Sequence, residues 1–180
     1  MIELYPHNQQ AYENILESFK ISNKTCVIHP TGTGKSFIAL KWLFENRNKK
    51  CLFLTSTDVI IDQFKRYIAK SDLILNDFPN LEIKTYQSLK NDTNNYDCIV
   101  LDEFHRCGAP EWGKEVNQIL NNNLNSKVLG LSATPIRYLD NQRDMSEEIF
   151  EGNISSKMSL AEAIVLGILP IPIYKLYIFL

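Results

Sequence analysis

Short apolar runs alternate along the chain with stretches in which apolar residues recur at helical spacing. Continuous aliphatic and β-branched runs predict buried strands, whereas apolar residues three or four positions apart predict helices that cover them. The predicted strands are 25–28, 51–54, 81–84, 97–101 and 127–131, and the predicted helices are 11–19, 37–46, 60–68, 112–120 and 160–166. Because strands and helices alternate, the sequence predicts an α/β domain with a mainly parallel sheet covered on both faces.

Polar and glycine-rich segments follow these strands, and the first of them carries the strongest chemical signal. It reads His-Pro-Thr-Gly-Thr-Gly-Lys-Ser at 29–36, between a strand and a helix. Such a turn leaves main-chain N–H groups and a helix N-terminus facing a polyphosphate. We expect the phosphates of ATP to contact Pro30, Thr31, Gly32, Thr33, Gly34, Lys35 and Ser36. Lys35 is expected to reach the β- and γ-phosphates, and the Ser36 hydroxyl to bind Mg²⁺.

One position departs from the G-x-x-x-x-G-K-[ST] pattern, because His29 stands where the first glycine is usual. That position opens the loop and is not expected to touch phosphate. The alternative is a glycine-rich turn without a ligand.

Two adjacent acids follow the strand at 97–101. Asp102 is expected to hold the Mg²⁺ opposite Ser36, and Glu103 to orient and deprotonate the attacking water. Together with Lys35 they form the predicted catalytic group. The alternative is a strand that ends in solvated acids.

Two hydroxyl residues follow the last predicted strand of the sheet, in the segment Ser-Ala-Thr-Pro at 132–135. Ser132 and Thr134 are candidates to hydrogen-bond His105 and to relay the state of the γ-phosphate. Considered alone, this segment is a turn before a proline.

Composition and charge restrict the possible partners only weakly. The 180 residues carry a net charge of −2 with 44% hydrophobic and 22% charged residues, so nucleic-acid binding would depend on local contacts. The four cysteines form no C-x₂-C pair, which favours reduced thiols and a cytoplasmic protein. The apolar run at 160–180 is interrupted by Glu162 and Pro170, and no membrane span is expected.

Several of these segments, taken in order, resemble the motifs of superfamily 2 DEAD/DEAH-box-like helicases. Asp-Glu-Phe-His at 102–105 is similar to the DExH form of motif II, and Ser-Ala-Thr at 132–134 to motif III. Residues 56–63 resemble motif Ia, P-T-x-x-L-x-x-Q, without its proline and with isoleucine for leucine. Residues 85–89 and 160–169 resemble the T-Y-x-S-L and closing L-x-x-A-I-x-x-G-x-L elements of the restriction-type branch, which includes type III restriction subunits and XPB-like enzymes.

The resemblance implies a three-layer RecA-like P-loop NTPase domain at 1–170, followed by an exit strand at 171–180 toward a second RecA-like domain of the same chain. It implies ATP and Mg²⁺ as cofactors and nucleic acid, expected to be DNA, as partner. The family's arginine fingers lie in the second domain, so a fragment that ends here is expected to hydrolyse ATP slowly.

The resemblance also assigns binding residues outside the phosphate loop. Ser56, Thr57, Thr85 and Tyr86 are the expected contacts to the nucleic-acid backbone. The alternatives are that Thr57 only caps a helix and that Tyr86 belongs to the core. In the adenine-reading segment, Asn8 stands where glutamine is usual, so Gln9 or Gln10 is the candidate to read the base, and a solvated helix start is the alternative.

Three functions therefore compete. The first is the motor domain of an ATP-dependent DNA helicase or translocase. The second is a P-loop NTPase of another class, such as a kinase or switch, without nucleic-acid stimulation. The third is an interaction module without turnover, against which the intact Lys35, Ser36, Asp102 and Glu103 argue.

Overall fold

The computed structural model describes residues 2–90, 92–111, 113–138 and 142–173. Its strands are β1 (Lys24–Ile28), β2 (Cys51–Thr55), β3 (Leu81–Thr85), β4 (Cys98–Asp102), β5 (Lys127–Ser132), β6 (Ile136–Arg137), β7 (Arg143–Asp144) and β8 (Ile154–Lys157). Its helices are α1 (Pro6–Ile21), α2 (Lys35–Glu45), α3 (Asp58–Lys70), α4 (Gly113–Asn122), α5 (Met145–Phe150) and α6 (Leu160–Val165). Short 3₁₀ turns cover Leu75–Asp77, Tyr86–Leu89 and Phe104–Gly108.

Six strands form one parallel sheet in the order β3-β2-β4-β5-β1-β8, and β6 and β7 form a small antiparallel pair. The connection from β1 to β2 passes over two strands, and the later strands β4 and β5 fill the space between them. Ligands of open α/β sheets bind beyond the carboxyl ends of the strands at such a crossover. The register aligns Ile28 with Ser132 and Asp102 with Leu131, so β1, β4 and β5 end at one level.

The central strands are buried on both faces, and alternate residues enter two different apolar clusters. Val27, Phe53 and Val100 pack toward α1, α2 and α3, where the Phe53 and Phe64 rings stack with centroids 4.0 Å apart. Their neighbours Cys26, Leu52 and Ile99 pack toward α4 and α5. Burial on both faces explains why these strands read as continuous apolar runs. The three-layer α/β fold predicted from the sequence is confirmed.

The structure also contains elements that the sequence analysis missed. Strand β8, helix α5 and the β6–β7 pair were not predicted. Helix α4 includes Asn121 and Asn122 and therefore ends two residues beyond the helix predicted at 112–120. Trp112, predicted in this helix, lies outside the described residues, as do 174–180 of the predicted exit strand. Residues 171–173 have no strand geometry. Within the described part of the chain, no helix is long and apolar enough to cross a membrane.

Candidate nucleotide-binding site

The glycine-rich loop joins the end of β1 to the start of α2. Gly32 and Gly34 have φ angles of 90° and 88°, a region that side-chain-bearing residues rarely adopt. A Cβ on Gly34 would lie 2.7 Å from Asn8 Nδ2, so the loop also needs glycine there for space. No side chain caps the N-terminus of α2, and its first N–H groups are available to an anion.

Lys35 is the first residue of α2 and its side chain is buried beneath the loop. Its Nζ donates to the carbonyl oxygens of His29 at 2.7 Å and Pro30 at 3.1 Å. Burial lowers the pKa of Lys35, while the charges of Glu103 and Asp102 oppose that shift. The ammonium group is therefore held between the loop and the two acids.

Asp102 is the last residue of β4 and is 7% exposed. Its Oδ2 accepts a hydrogen bond from Thr55 Oγ1 at 3.1 Å. Burial and the neighbouring charge of Glu103 raise the pKa of Asp102 to about 6, and the Thr55 bond and Lys35 limit the shift. A positive charge placed beside this carboxylate would stabilise its ionised form.

Glu103 follows Asp102 with left-handed backbone angles, φ 53° and ψ 49°. Such angles are strained for a residue with a side chain. Burial alone would raise the pKa of Glu103, but the hydrogen bond from His105 and the charges of Lys35, His105 and Arg106 lower it. The carboxylate is therefore ionised near neutral pH, as a proton acceptor must be.

The predicted relay residues lie beside Glu103. His105 Nδ1 is 2.8 Å from Ser132 Oγ and 3.3 Å from Glu103 Oε2, and Ser132 Oγ is 3.4 Å from that same oxygen. Thr134 joins this group through its main chain, because its carbonyl oxygen accepts from Ser132 Oγ at 2.6 Å. Its hydroxyl accepts instead from Ile136 N at 3.2 Å.

A cleft of about 800 Å³ connects the loop with the acids. Its lining comprises Tyr5, Pro6, His7, Thr31, Gly32, Thr33, Gly34, Lys35, Ser36, Phe37, Ile60, Gln63, Tyr67, Asp102, Glu103, Gly167 and Ile168. The structure thus brings together all eight of the predicted phosphate, metal and catalytic residues other than Pro30, which contributes its carbonyl from behind the loop. A second cleft, of about 820 Å³ between α4 and α5, contains none of them.

The cleft fits Mg²⁺ and a nucleoside triphosphate by its chemistry. The Ser36 hydroxyl and the Asp102 carboxylate both line it, and Mg²⁺ prefers such oxygen ligands while keeping several waters and phosphate oxygens. The loop and the start of α2 supply N–H donors for the phosphates.

The N-terminal segment supports the loop through residues that the sequence analysis did not assign. His7 Nε2 and Asn8 Nδ2 each lie 2.8 Å from the carbonyl oxygen of Thr33. Asn8 is 1% exposed, and its Oδ1 has no hydrogen-bond partner among the described residues. Gln9 donates to Glu13 Oε1 at 2.9 Å on α1 and does not line the cleft. The sequence signal that could have indicated this support was Asn8 itself, because it stands at the position where glutamine is usual.

The predicted nucleic-acid contacts lie at the ends of β2 and β3. Thr57 is exposed and precedes α3 without forming a side-chain cap, Thr85 is half-buried, and Ser56 is 6% exposed. Tyr86 is fully buried, and its hydroxyl donates to the carbonyl oxygen of Asp102 at 2.8 Å. The Tyr86 ring therefore belongs to the core, as the alternative stated, and a nucleic-acid contact through the main chain at this position stays a prediction.

The model of one protein family, described as "Type III restriction enzyme, res subunit", matches residues 1–137. The chain belongs to this family. With the sheet and the ordered motifs, the match identifies the chain as an N-terminal RecA-like domain of the restriction-type branch of superfamily 2 helicases.

Two curated relatives come from Sulfolobus islandicus filamentous virus. "Putative helicase 22" is 32% identical over 136 residues, which is 60% of this chain and 24% of the relative. "Putative helicase 7" is 25% identical over 206 aligned positions, covering 97% of this chain and 32% of the relative. The chain therefore spans about a quarter to a third of the length of these relatives.

Solved structures share the fold at lower identity. The Type ISP restriction-modification enzyme LlaGI, in complex with a DNA substrate mimic, superposes with a TM-score of 0.69 at 21% identity, covering 92% of this chain and 18% of that one. The Hef helicase domain of Pyrococcus furiosus gives a TM-score of 0.63 at 21% identity, covering 83% of this chain and 37% of that one.

Proposed function

We propose that this chain is the ATP-binding motor domain of a longer DNA helicase or translocase, in which Mg²⁺-ATP hydrolysis drives movement along the nucleic acid. One observation carries the proposal: Lys35 and Ser36 of the loop share a cleft with Asp102 and Glu103 of β4. Positioning and charge stabilisation are most of what phosphoryl transfer requires from a protein.

Each residue of the cleft then has a defined task. Lys35 neutralises charge on the β- and γ-phosphates, and Ser36 and Asp102 would hold the Mg²⁺, which would supply further positive charge beside the phosphates. The Glu103 carboxylate accepts a proton from the attacking water, and its lowered pKa keeps it ionised and so able to do this. His105 and Ser132 hold that carboxylate in place and connect it to the segment that follows β5.

The nucleic acid is proposed to lie across the ends of β2 and β3, at Ser56, Thr57 and Thr85. Hydroxyl side chains and main-chain N–H groups suit phosphate contacts without a large basic surface. DNA is favoured because LlaGI was solved with a DNA substrate mimic and the related enzyme LlaBIII was solved bound to DNA. Adenine reading by Gln9 stays a prediction, and it would require its amide to leave Glu13. A cytoplasmic location is proposed from the cysteines, which are free and buried.

The deciding experiment measures Mg²⁺-ATP hydrolysis by the longest form of the protein that can be produced, alone and with single-stranded DNA, duplex DNA or RNA. Stimulation by DNA is expected. Turnover indifferent to all three polymers would favour a P-loop NTPase of another class.

Two variants test the residue assignments in the same assay. Glu103→Gln should keep nucleotide binding but lose hydrolysis, whereas Lys35→Ala should weaken binding itself, because Lys35, unlike Glu103, contacts the ground-state phosphates in this proposal. Parent-like turnover by both variants would overturn the assignment of the cleft.

A further inference from the structure

Asp102 is held at two different atoms by residues from two other strands. Thr55, the last residue of β2, donates from Oγ1 to the Asp102 carboxylate at 3.1 Å. Tyr86, immediately after β3, donates from its hydroxyl to the Asp102 main-chain oxygen at 2.8 Å. Both side chains are fully buried, with an exposed fraction of 0%. Neither contact is one of the main-chain hydrogen bonds that join the strands of the sheet.

These two residues adjoin the segments proposed to touch nucleic acid. Thr55 precedes Ser56 and Thr57, and Tyr86 follows Thr85. The register pairs Thr55 with Thr85 on neighbouring strands, so both segments leave the sheet at the same level. A displacement of either segment would therefore move a group bonded to Asp102.

The main chain that Tyr86 contacts leads directly into Glu103. The carbonyl group that Tyr86 binds belongs to the peptide bond before Glu103, whose left-handed backbone is strained. Tyr86 also interacts with the thiol of Cys107, in the 3₁₀ turn Phe104–Gly108 that follows Glu103. The Tyr86 hydroxyl thus contacts groups on both sides of Glu103, which are the Asp102 carbonyl oxygen before it and the Cys107 thiol after it.

We propose that Thr55 and Tyr86 are positioning residues that couple nucleic-acid contact at the ends of β2 and β3 to the placement of Asp102 and Glu103. The coupling rests on the proposed function, because it needs both a nucleic acid and a nucleotide. Thr55 acts on the metal-binding carboxylate, and Tyr86 acts on the main chain that aims the water-activating one.

The test uses Tyr86→Phe and Thr55→Val, which remove one hydroxyl each and nearly preserve side-chain volume. Matched controls exist elsewhere in the domain. Tyr96 is 4% exposed and lies just before β4, at the end of that strand opposite to Asp102, and its hydroxyl donates to Glu82 and Asp92. Thr25 is fully buried in β1 and donates to the carbonyl oxygen of Asn153. Tyr96→Phe and Thr25→Val therefore lose buried hydroxyl bonds without touching Asp102.

ATP turnover of the longest form is measured with and without saturating DNA, and the ratio of the two rates is compared among the variants. We expect Tyr86→Phe and Thr55→Val to reduce this ratio about five- to tenfold with a KM for ATP within about twofold of the parent, because the hydrogen bond that would pass a displacement on to Asp102 is lost. The two controls should keep the parent's ratio.

The possible outcomes separate the coupling from the proposed function. A parent that hydrolyses no ATP with any polymer would contradict the proposed function. A stimulated parent whose test variants match their controls, or lose basal and stimulated rates equally, would overturn the coupling alone. If Tyr86→Phe does not fold, judged by thermal unfolding, Thr55→Val carries the same test at the carboxylate.

Discussion

At the scale of single residues, His29 shows how the loop tolerates a departure from its usual glycine. Its imidazole is 1% exposed and does not line the cleft, and its Nε2 lies 2.8 Å from Ser156 Oγ on β8. The loop uses only the main chain of this position, whose carbonyl oxygen accepts from Lys35. A side chain is therefore accommodated because it points toward the neighbouring strand and not toward the phosphates.

The buried imidazole should make folding stability depend on pH. Burial, followed by the charges of Lys35 and His7, lowers the pKa of His29 to about 4. The ordinary value of about 6.5 applies to the unfolded chain, so the unfolded state binds more protons between these two values. This contribution is fully present above pH 6.5 and is lost as the pH falls toward 4. Relative to His29→Asn, the free energy of unfolding should fall by about 3 kcal/mol between pH 7 and pH 4. Denaturant titrations at both pH values measure it, and a pH-independent difference would contradict the shift.

Two of the three positive-φ glycines that line the cleft, Gly34 and Gly167, should respond differently to alanine. Gly34→Ala combines a φ of 88° with a Cβ 2.7 Å from Asn8 Nδ2, whereas Gly167→Ala has a φ of 69° and no atom within 4 Å of the new Cβ. Both should lose about 1 kcal/mol of stability through backbone strain. Only Gly34→Ala should also weaken nucleotide binding, about tenfold or more, since the loop must shift away from Asn8. Binding of fluorescent ADP to both variants distinguishes strain from crowding, and equal affinities would refute the role of Asn8.

At the scale of elements, the sequence predicted the strands whose own residues form a recognisable apolar run. Strands β1, β2, β4 and β5 were predicted to within one or two residues because both of their faces are buried and their runs are apolar. Strand β8 reads Ile-Ser-Ser-Lys and lacks such a run. Its place beside β1 depends on contacts between residues far apart in the sequence. Asn153 Nδ2 donates to Lys24 O at 2.6 Å, and Asn153 O accepts from Cys26 N at 3.1 Å. Contacts between such distant parts of the sequence leave no periodic pattern of apolar residues.

The contact of α5 with β5 yields a packing prediction. Gly130 lies in the middle of β5, and a Cβ there would meet Phe150 Cζ of α5 at 2.2 Å and Cys26 Cβ at 3.0 Å. Gly130→Ala should therefore cost about 1–3 kcal/mol of unfolding free energy through overpacking. Phe150→Leu should cost a similar amount through a cavity. The double variant should be destabilised by less than the sum of the two single variants, because leucine at position 150 leaves space for the new methyl group at position 130. Urea unfolding of all four proteins measures this, and strict additivity would show that helix and strand do not compete for that space.

At the scale of the whole molecule, the sheet explains why the site was largely readable from the sequence. The loop and the acids each follow a buried strand, and parallel strands deliver both to one edge, so motif order sufficed to predict Lys35, Ser36, Asp102 and Glu103 together. The role of Tyr86 was not readable. Its ring turns into the core at a 3₁₀ turn and bonds a carbonyl group two strands away, and nothing in Thr-Tyr-Gln-Ser-Leu indicates that direction.

The charge of the cleft leads to the last prediction. Among the described residues that line it, Lys35 is the one lysine, and no arginine is present. The charge that spreads over the γ-phosphate in the transition state therefore exceeds what these residues neutralise, and an arginine supplied from elsewhere is worth roughly 10³–10⁵ in turnover. Because the chain spans 24% and 32% of its viral relatives, we propose that a second RecA-like domain supplies this arginine.

The 180-residue chain should bind Mg²⁺-ADP with an affinity close to that of a longer form, yet hydrolyse ATP at least about 10³-fold more slowly. Single-turnover hydrolysis and ADP binding by both forms test this, since binding depends on the cleft described here and turnover on the missing charge. Equal turnover would mean that the described cleft is catalytically sufficient and that no arginine need reach it.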